Sequence, residues 1–484
     1  MSAVDRQGRH PYVLLTIVLA GLVSQSCVLR RQPPSSPSAR DRQAVSPRLG
    51  NLSFVKELTI RGAPKGTSGF YANAATKITT YNGCIYVAYL DSDRFICVQK
   101  KDVHGVLSET RIFGPVLNDQ WHMAPVIGVD GNGYVHVTGG MHYGNAFREK
   151  DPQTGELKLR PYKGEWNYFI SERPEDITGF TEQTPEMPGC PPGWLATYPE
   201  LFRSNKGDLY LTSRQGSYKP PFLGGAIARY NHNATRWTAL GEEKTHPIRS
   251  RKKPVYAQWF EPVKGEPTCY QKWCSWIQFD EQNTLHLAWK VNALGPQRNW
   301  GTGTHIMYAR RKDGAPGWET LNGRPIPDAA LTVHNATVVE TDLETPELSL
   351  NGLAVGTDGS PVLSITYTKN NPPPNRDRAG RPVKWNGESW ERVSFPEGFA
   401  PRAHYRVMSD NADGMFAMGN PASPCYYSSN NGTTWEAITI PYTRQGASLA
   451  DLDFQHFLKT GNPRISVFFE EEGIIEVWTI RTKP

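Results

Sequence analysis

From Thr76 to the C-terminus the chain repeats one pattern: a short apolar or alternating run, a turn of Gly, Asn or Asp, and a second such run. The copies are Lys77–Asp91, Pro125–Gly139, Glu200–Arg214, Ser275–Trp289, Gly352–Thr366, Tyr405–Met418 and Asp453–Phe469. Runs of period two separated by turns of this chemistry are β-hairpins, and a strand such as Tyr134–Thr138 is expected to be half-buried. Third strands with a tryptophan nearby follow at Ala228–Trp237, Ile306–Trp318 and Cys425–Trp435. Seven copies over residues 51–484 leave about 60 residues each, the size of a four-stranded blade with its loops. Such units close into a ring because each blade buries its faces against its neighbours. The expected fold is therefore all-β, a seven-bladed β-propeller over residues 51–484. Ser53–Ile60 is placed to pair with Ile474–Ile480 and close the ring. Two stacked β-sandwiches are the alternative, against which the even repetition argues.

The residues before the repeats read differently. Arg6, Arg9 and His10 precede an apolar run, Tyr12–Val23, too short for a comfortable membrane span. This reads as an export signal over residues 1–27, with Cys27 placed for lipid attachment after Ser24 and Ser26. Residues 28–50, rich in Pro, Ser and Arg, read as a tether without packed structure. The expected location is outside the cytoplasm: secreted, periplasmic or lipid-anchored at the surface, with membrane contact only through Cys27.

Charge and cysteines refine the picture. The net charge of +6 is modest, and no basic-aromatic motif points to nucleic acid. An acidic polysaccharide suits it, as does simple solubility. Of seven cysteines, six remain if Cys27 belongs to the signal. An even set in an exported chain permits three disulfides: Cys84 with Cys97, Cys269 with Cys274, and Cys190 with Cys425 as the remainder. Free buried thiols are the alternative for each.

Four side chains stand out for their chemistry. His122 precedes the first strand of the second copy and His142 follows its second strand, so one hairpin brings both to the same end. Tyr198 enters the third copy and Arg214 leaves it, which sets them at the same end of the next blade. His, His, Tyr and Arg around one depression suit β-elimination from a uronic-acid glycoside. A guanidinium neutralises the uronate carboxylate. A neutral His, or a Tyr with lowered pKa, takes the C5 proton, and another protonates the departing O4. No metal or organic cofactor is required. His136, His286 and His305 lie inside strand patterns and read as structural. Cys269, Cys274, His286 and His305 match no compact zinc spacing.

Two resemblances attach to named residues. Ser428-Ser429-Asn430-Asn431-Gly432-Thr433-Thr434-Trp435 resembles the Asp box of BNR-repeat propellers, with Asn430 in place of Asp. That box implies a structural hairpin on the rim. The stretches around His122, Asp130–His136, Met141-His142, Thr197-Tyr198-Pro199 and Arg214-Gln215-Gly216 resemble the BNR-repeat propeller lyases, a group including ulvan lyases and rhamnosyl-glucuronate lyases. The likeness is clearest over residues 118–240. It implies a lyase acting on a glucuronate- or iduronate-containing, rhamnose-linked polysaccharide, with His122, His142, Tyr198 and Arg214 catalytic. Tyr256 is the match for a further substrate-binding tyrosine, beside Arg214. Some members hold a structural metal ion, which keeps one open here; no other cofactor is implied, and a monomer is expected. The chain departs from the group at Trp121 and Met123, where Asn is frequent, and at Ser213, where Tyr is frequent. The competing readings are a non-catalytic carbohydrate-binding propeller and a sialidase-like hydrolase, which needs three arginines on a carboxylate.

Overall fold

The computed structural model describes residues 52–65, 76–115, 124–139, 146–150, 153–154, 157–161, 167–183, 195–216, 224–244, 255–259, 268–271, 275–294, 303–340, 347–368, 378–380, 382–393, 406–410, 412–419, 425–442, 444 and 446–482. Seven antiparallel sheets follow one another along the chain as blades of a propeller. Each opens with an innermost strand: Ile78–Tyr81, Val126–Val129, Leu195–Arg203, Trp276–Phe279, Glu347–Val355, Arg406–Ser409 and Ala447–Leu452. The last blade is completed by the first strand of the described chain. Leu52–Arg61 pairs with Ile474–Thr482 over Ser53↔Arg481 to Arg61↔Ile474, which closes the ring as the repeat pattern predicts.

Packing explains why these strands are so apolar. One core cluster joins Tyr86 and Val98 of blade 1 to Ile127 and Val137 of blade 2. Another joins Ile78 and Val87 of blade 1 to Phe468 and Val477 of blade 7. Inner strands are thus covered on both faces, so Cys84–Leu90 is buried at every position. Val135–Thr138 is likewise buried throughout, and not half-buried as alternation suggested. Outermost strands such as Leu107–Phe113 face water along most of their length. Each large apolar side chain buried this way contributes about 1.5–3 kcal/mol.

The seventh copy departs from the hairpin expected at Asp453–Phe469. Its first strand is Ala447–Leu452, and Phe454–Thr460 is a helix. Asp453 caps it by accepting from the His456 N–H, and Gly461 ends it at a φ of 67°. The helix packs across the ends of the inner strands, where Gln455 exchanges hydrogen bonds with Arg203 at 3.1 and 2.9 Å. Above it lies an axial cavity of about 40 Å³ lined by Leu201, Gln278, Ser409 and Gln455. The helix therefore marks the far end of the ring, opposite the ends where the inner strands begin.

The Asp-box likeness is realised as a local hairpin. The Gly432 N–H donates to the Ser428 hydroxyl at 2.9 Å, and the Thr434 N–H donates to Asn430 Oδ1 at 2.9 Å. Trp435 is buried and donates from Nε1 to the Gly432 carbonyl at 3.0 Å. The amide of Asn430 thus supplies the acceptor that an Asp carboxylate would.

The cysteine pairing fails where it is described. Cys84, Cys97 and Cys425 are free, buried thiols. Cys97 pairs across the sheet with Tyr89, five positions along the strand from Cys84. At about 3.4 Å per residue that separation is far beyond disulfide reach. The Cys97 thiol instead meets Asp91 Oδ2 at 3.6 Å. Burial pushes the Cys425 thiol up to about 12, as expected of an inert core cysteine. Cys27, Cys190, Cys274 and the Cys269 side chain lie outside the described residues.

Candidate active site

The third blade carries a local irregularity at Tyr198. Thr197 pairs with Arg214 and Glu200 pairs with Thr212, so the first strand holds one residue more than its partner between these points. That is a β-bulge, which re-aims a side chain and is common beside active sites. Tyr198 takes a positive φ of 55°, unusual for an aromatic residue and a store of strain. Pro199 follows it, and proline tolerates a position without a ladder hydrogen bond. The bulge turns the Tyr198 ring against Arg214, whose Cζ sits 4.7 Å from the ring centroid. Both side chains are buried, at 4% and 6% exposure. A guanidinium stacked on an aromatic face keeps its charge and its planar donor fork while leaving water.

Blade 2 brings its two flanks to the same end. Val126 pairs with Thr138, so Ala124 and Gly139 stand together where the inner strands begin. A β-carbon on Gly139 would fall 2.4 Å from Pro125 Cα, so only glycine allows this approach. The Asn167 side chain holds the Gly139 carbonyl at 3.0 Å. His122 lies two residues before Ala124 and His142 three after Gly139; both histidines are outside the described residues.

Tyr256 joins this end from the connection after blade 3. It is fully buried, 5.1 Å from the Trp259 ring, in a core cluster with Leu201 and Leu211. The neighbouring Ala257 N–H donates to the carbonyl of Gly225, the residue opposite Arg214. The strand pairings thus set Tyr198 and Arg214 at one end of blade 3, with the Tyr256 backbone beside that end.

A belt of buried polar groups at the same end was not foreseen. Thr76 donates to Glu200 Oε2 at 3.1 Å and accepts the Leu201 N–H at 2.9 Å. The Lys77 N–H donates to Asp451 Oδ2 at 2.6 Å, and Asp451 also pairs with Arg406. Arg406 in turn lies 5.9 Å over the Trp276 ring. Lys290 donates to the Ser349 hydroxyl at 3.1 Å. Burial pushes the Asp451 carboxyl up, while Arg406 and Lys77 hold it down. Charged residues inside otherwise apolar strands, as in Tyr198-Pro199-Glu200-Leu201-Phe202, were the available sign.

The strand histidines are structural. His286 is buried, with Nδ1 at 2.6 Å from the Tyr308 hydroxyl and Nε2 at 3.2 Å from Asp280. Both ring nitrogens are thereby engaged away from any metal. His136 repeats the arrangement two blades earlier, 2.6 Å from the Tyr168 hydroxyl. Its Nε2 stands 3.4 Å from Asp130, within charge interaction but off hydrogen-bond geometry. His305 meets the Thr304 hydroxyl at 2.9 Å.

Comparison with known proteins agrees with this architecture. The BNR repeat-containing family matches residues 161–443. A PL25 ulvan lyase from Pseudoalteromonas sp. (strain PLSV) is 21% identical over 283 residues, covering 56% of this chain and 51% of that protein. The chain thus spans about half the length of that curated relative. Among solved structures, a PL25 ulvan lyase superposes with a TM-score of 0.62 at 14% identity, over 87% of this chain and 95% of that one. The same lyase bound to -[GlcA(1-4)Rha3S]- gives the same values. The polysaccharide lyase Uly1 gives 0.61 at 14% identity, over 89% and 99%.

Proposed function

We propose that this chain, which belongs to the BNR repeat-containing family, is a polysaccharide lyase that cleaves a uronic-acid-containing glycan by β-elimination. The observation that carries this reading is the Arg214 guanidinium held on Tyr198 at the bulged start of blade 3. The likeness to ulvan lyases supports it, and the saccharide bound in one of them supports an anionic polysaccharide substrate.

In this mechanism Arg214 binds the uronate carboxylate through its paired donors and offsets the charge that grows as the C5 proton leaves. Tyr198, His122 and His142 divide the proton transfers between them. One takes the C5 proton, the C5–H electron pair forms the C4–C5 double bond, and the C4–O4 bond breaks as O4 is protonated. The products are an unsaturated uronate end and a free hydroxyl. The Arg214 charge also stabilises a tyrosinate beside it, which would make Tyr198 a competent base. The reaction runs on these side chains without a cofactor. The N-terminal apolar run carries the chain out of the cytoplasm to its substrate, and the chain works as a monomer.

The test is ultraviolet absorbance from the unsaturated uronate across a panel of uronate polymers. Arg214→Ala is expected to lower kcat on the order of 10²–10³-fold, as for loss of one transition-state electrostatic contact. Arg214→Lys keeps the charge without the fork and should fall between. Melting temperatures should stay near that of the unaltered chain. Near-full activity in Arg214→Ala on a verified substrate would refute the role given to Arg214.

A further inference from the structure

Blades 3 and 4 enclose a second polar cleft at the end of the ring opposite Arg214. Its volume is about 110 Å³, and Tyr210, Arg229, Asn283, Arg311, Lys312 and Asp313 line it. The register fixes its position. Tyr210 pairs with Phe202 and Arg229, and Arg311 pairs with Leu285, all where the inner strands end. Tyr198 and Arg214 lie where they begin.

Most charges around this cleft are already matched. Arg229 donates from Nε to Asp208 at 2.7 Å. Lys206 pairs with Asp313, and Lys312 with Glu319 at 3.1 Å. Arg311 is different. Its Nε donates to the Ala315 carbonyl at 3.0 Å, and its guanidinium lies 5.9 Å from the Trp318 ring. Among the described residues no carboxylate pairs with it, and its Nη groups have no protein acceptor. Tyr210 is 6% exposed and its ring packs 4.9 Å from Phe279, yet its hydroxyl makes no protein hydrogen bond among the described residues. Burial, reinforced by the neighbouring Arg229 charge, lowers the pKa of Arg311.

A half-buried guanidinium without a counter-ion is unfavourable, and an anion entering beside it removes most of that cost. The tyrosine hydroxyl supplies a second donor. The space equals roughly three to four waters, enough for one oxyanion group. We infer that this cleft is an anion-binding site that takes one carboxylate or sulfate group on Arg311 and Tyr210. Such a group is presented either by a free inorganic oxyanion or by a sugar of an acidic polysaccharide. In the second case the cleft holds a glycan strand on the face opposite Arg214 and raises its local concentration.

Isothermal titration of the full chain with inorganic sulfate tests the site without requiring turnover. It is run in an Arg214→Ala background, so that binding at the other end does not contribute. Sulfate binding is expected there, weakened on the order of tenfold or more by Arg311→Gln and less by Tyr210→Phe. Tyr210→Phe keeps the ring packing, so a loss in that variant cannot be ascribed to misfolding. A second arm measures retardation of the Arg214→Ala chain in native gels containing an acidic polysaccharide or its carboxyl-reduced form. Retardation that falls with Arg311→Gln only in the acidic gel assigns the site to glycan. Sulfate binding that depends on Arg311, with unchanged retardation, assigns it to a free anion. No sulfate binding, or binding indifferent to both substitutions, overturns the site. The lyase reading is untouched by any of these results, because no product is measured.

Discussion

The two ends of the same strands are built on different chemistry. Toward the start of most inner strands, charged side chains are buried against one another or an aromatic ring: Arg214 on Tyr198, and Asp451 of the last blade between Arg406 and the Lys77 N–H. Where they end, blades 2 and 4 bury histidines bonded to tyrosines beside turn aspartates, and blade 3 buries the Asp208 carboxylate on Arg229. The second arrangement repeats at one sequence offset, Asp130 to His136 and Asp280 to His286, and fastens strands to turns. Among the described residues the first does not repeat at a fixed offset. Buried charge is costly unless matched, and a merely structural network achieves the same connectivity without it.

The strongest way to break this contrast is to remove the acid at the charged end. Asp451→Ala takes away the buried carboxylate that holds Arg406 and the Lys77 N–H. The expected loss is about 3–5 kcal/mol of stability, read by denaturant unfolding, because the largely buried Arg406 loses its counter-charge. A change below about 1 kcal/mol would mean that water already reaches the pair. Gly139→Ala is expected to cost about 1–3 kcal/mol, since the new methyl meets Pro125 and the backbone must shift. The same variant should lower activity, because the flanks carrying His122 and His142 leave from this contact. Full activity with lost stability would separate the hairpin from the site.

The buried histidines give the smallest effect, and one with a sign. Burial lowers the pKa of His136 and His286, outweighing their aspartate neighbours. Unfolded, each takes up a proton near pH 6.5. The unfolded state therefore binds more protons below that pH. This contribution to stability is complete above about pH 6.5 and declines as pH falls toward the lowered folded values. Replacing both by glutamine should flatten the acid side of a melting-temperature profile between about pH 7 and 5. An unchanged slope would place the acid sensitivity on carboxylates instead.

Much of the ring was legible along the chain because repetition needs no contacts to be seen. Period-two runs and Gly/Asn/Asp turns gave the count of blades, and Ser53–Ile60 against Ile474–Ile480 followed from the need to close the last one. The seventh copy was misread at Asp453, because a short helix capped by Asp453 and Gly461 interrupts the pattern with apolar residues of its own. The cysteines misled for a related reason: spacing along the chain carries no information on which end of a strand a side chain occupies.

Hydrophobic order and turn chemistry by themselves determined that this chain is a seven-fold ring of sheets, and hairpin length determined that Tyr198 and Arg214 share an end. Those are local properties, set within a few residues by backbone sterics and side-chain alternation. Only the tertiary structure decided that Tyr198 is bulged onto Arg214 and that Asp451 serves blades 1 and 6. It alone left Arg311 without a carboxylate partner among the described residues. Each of these depends on which blades meet, at what register, and on the desolvation that follows. A charge has no environment until the ring has closed around it.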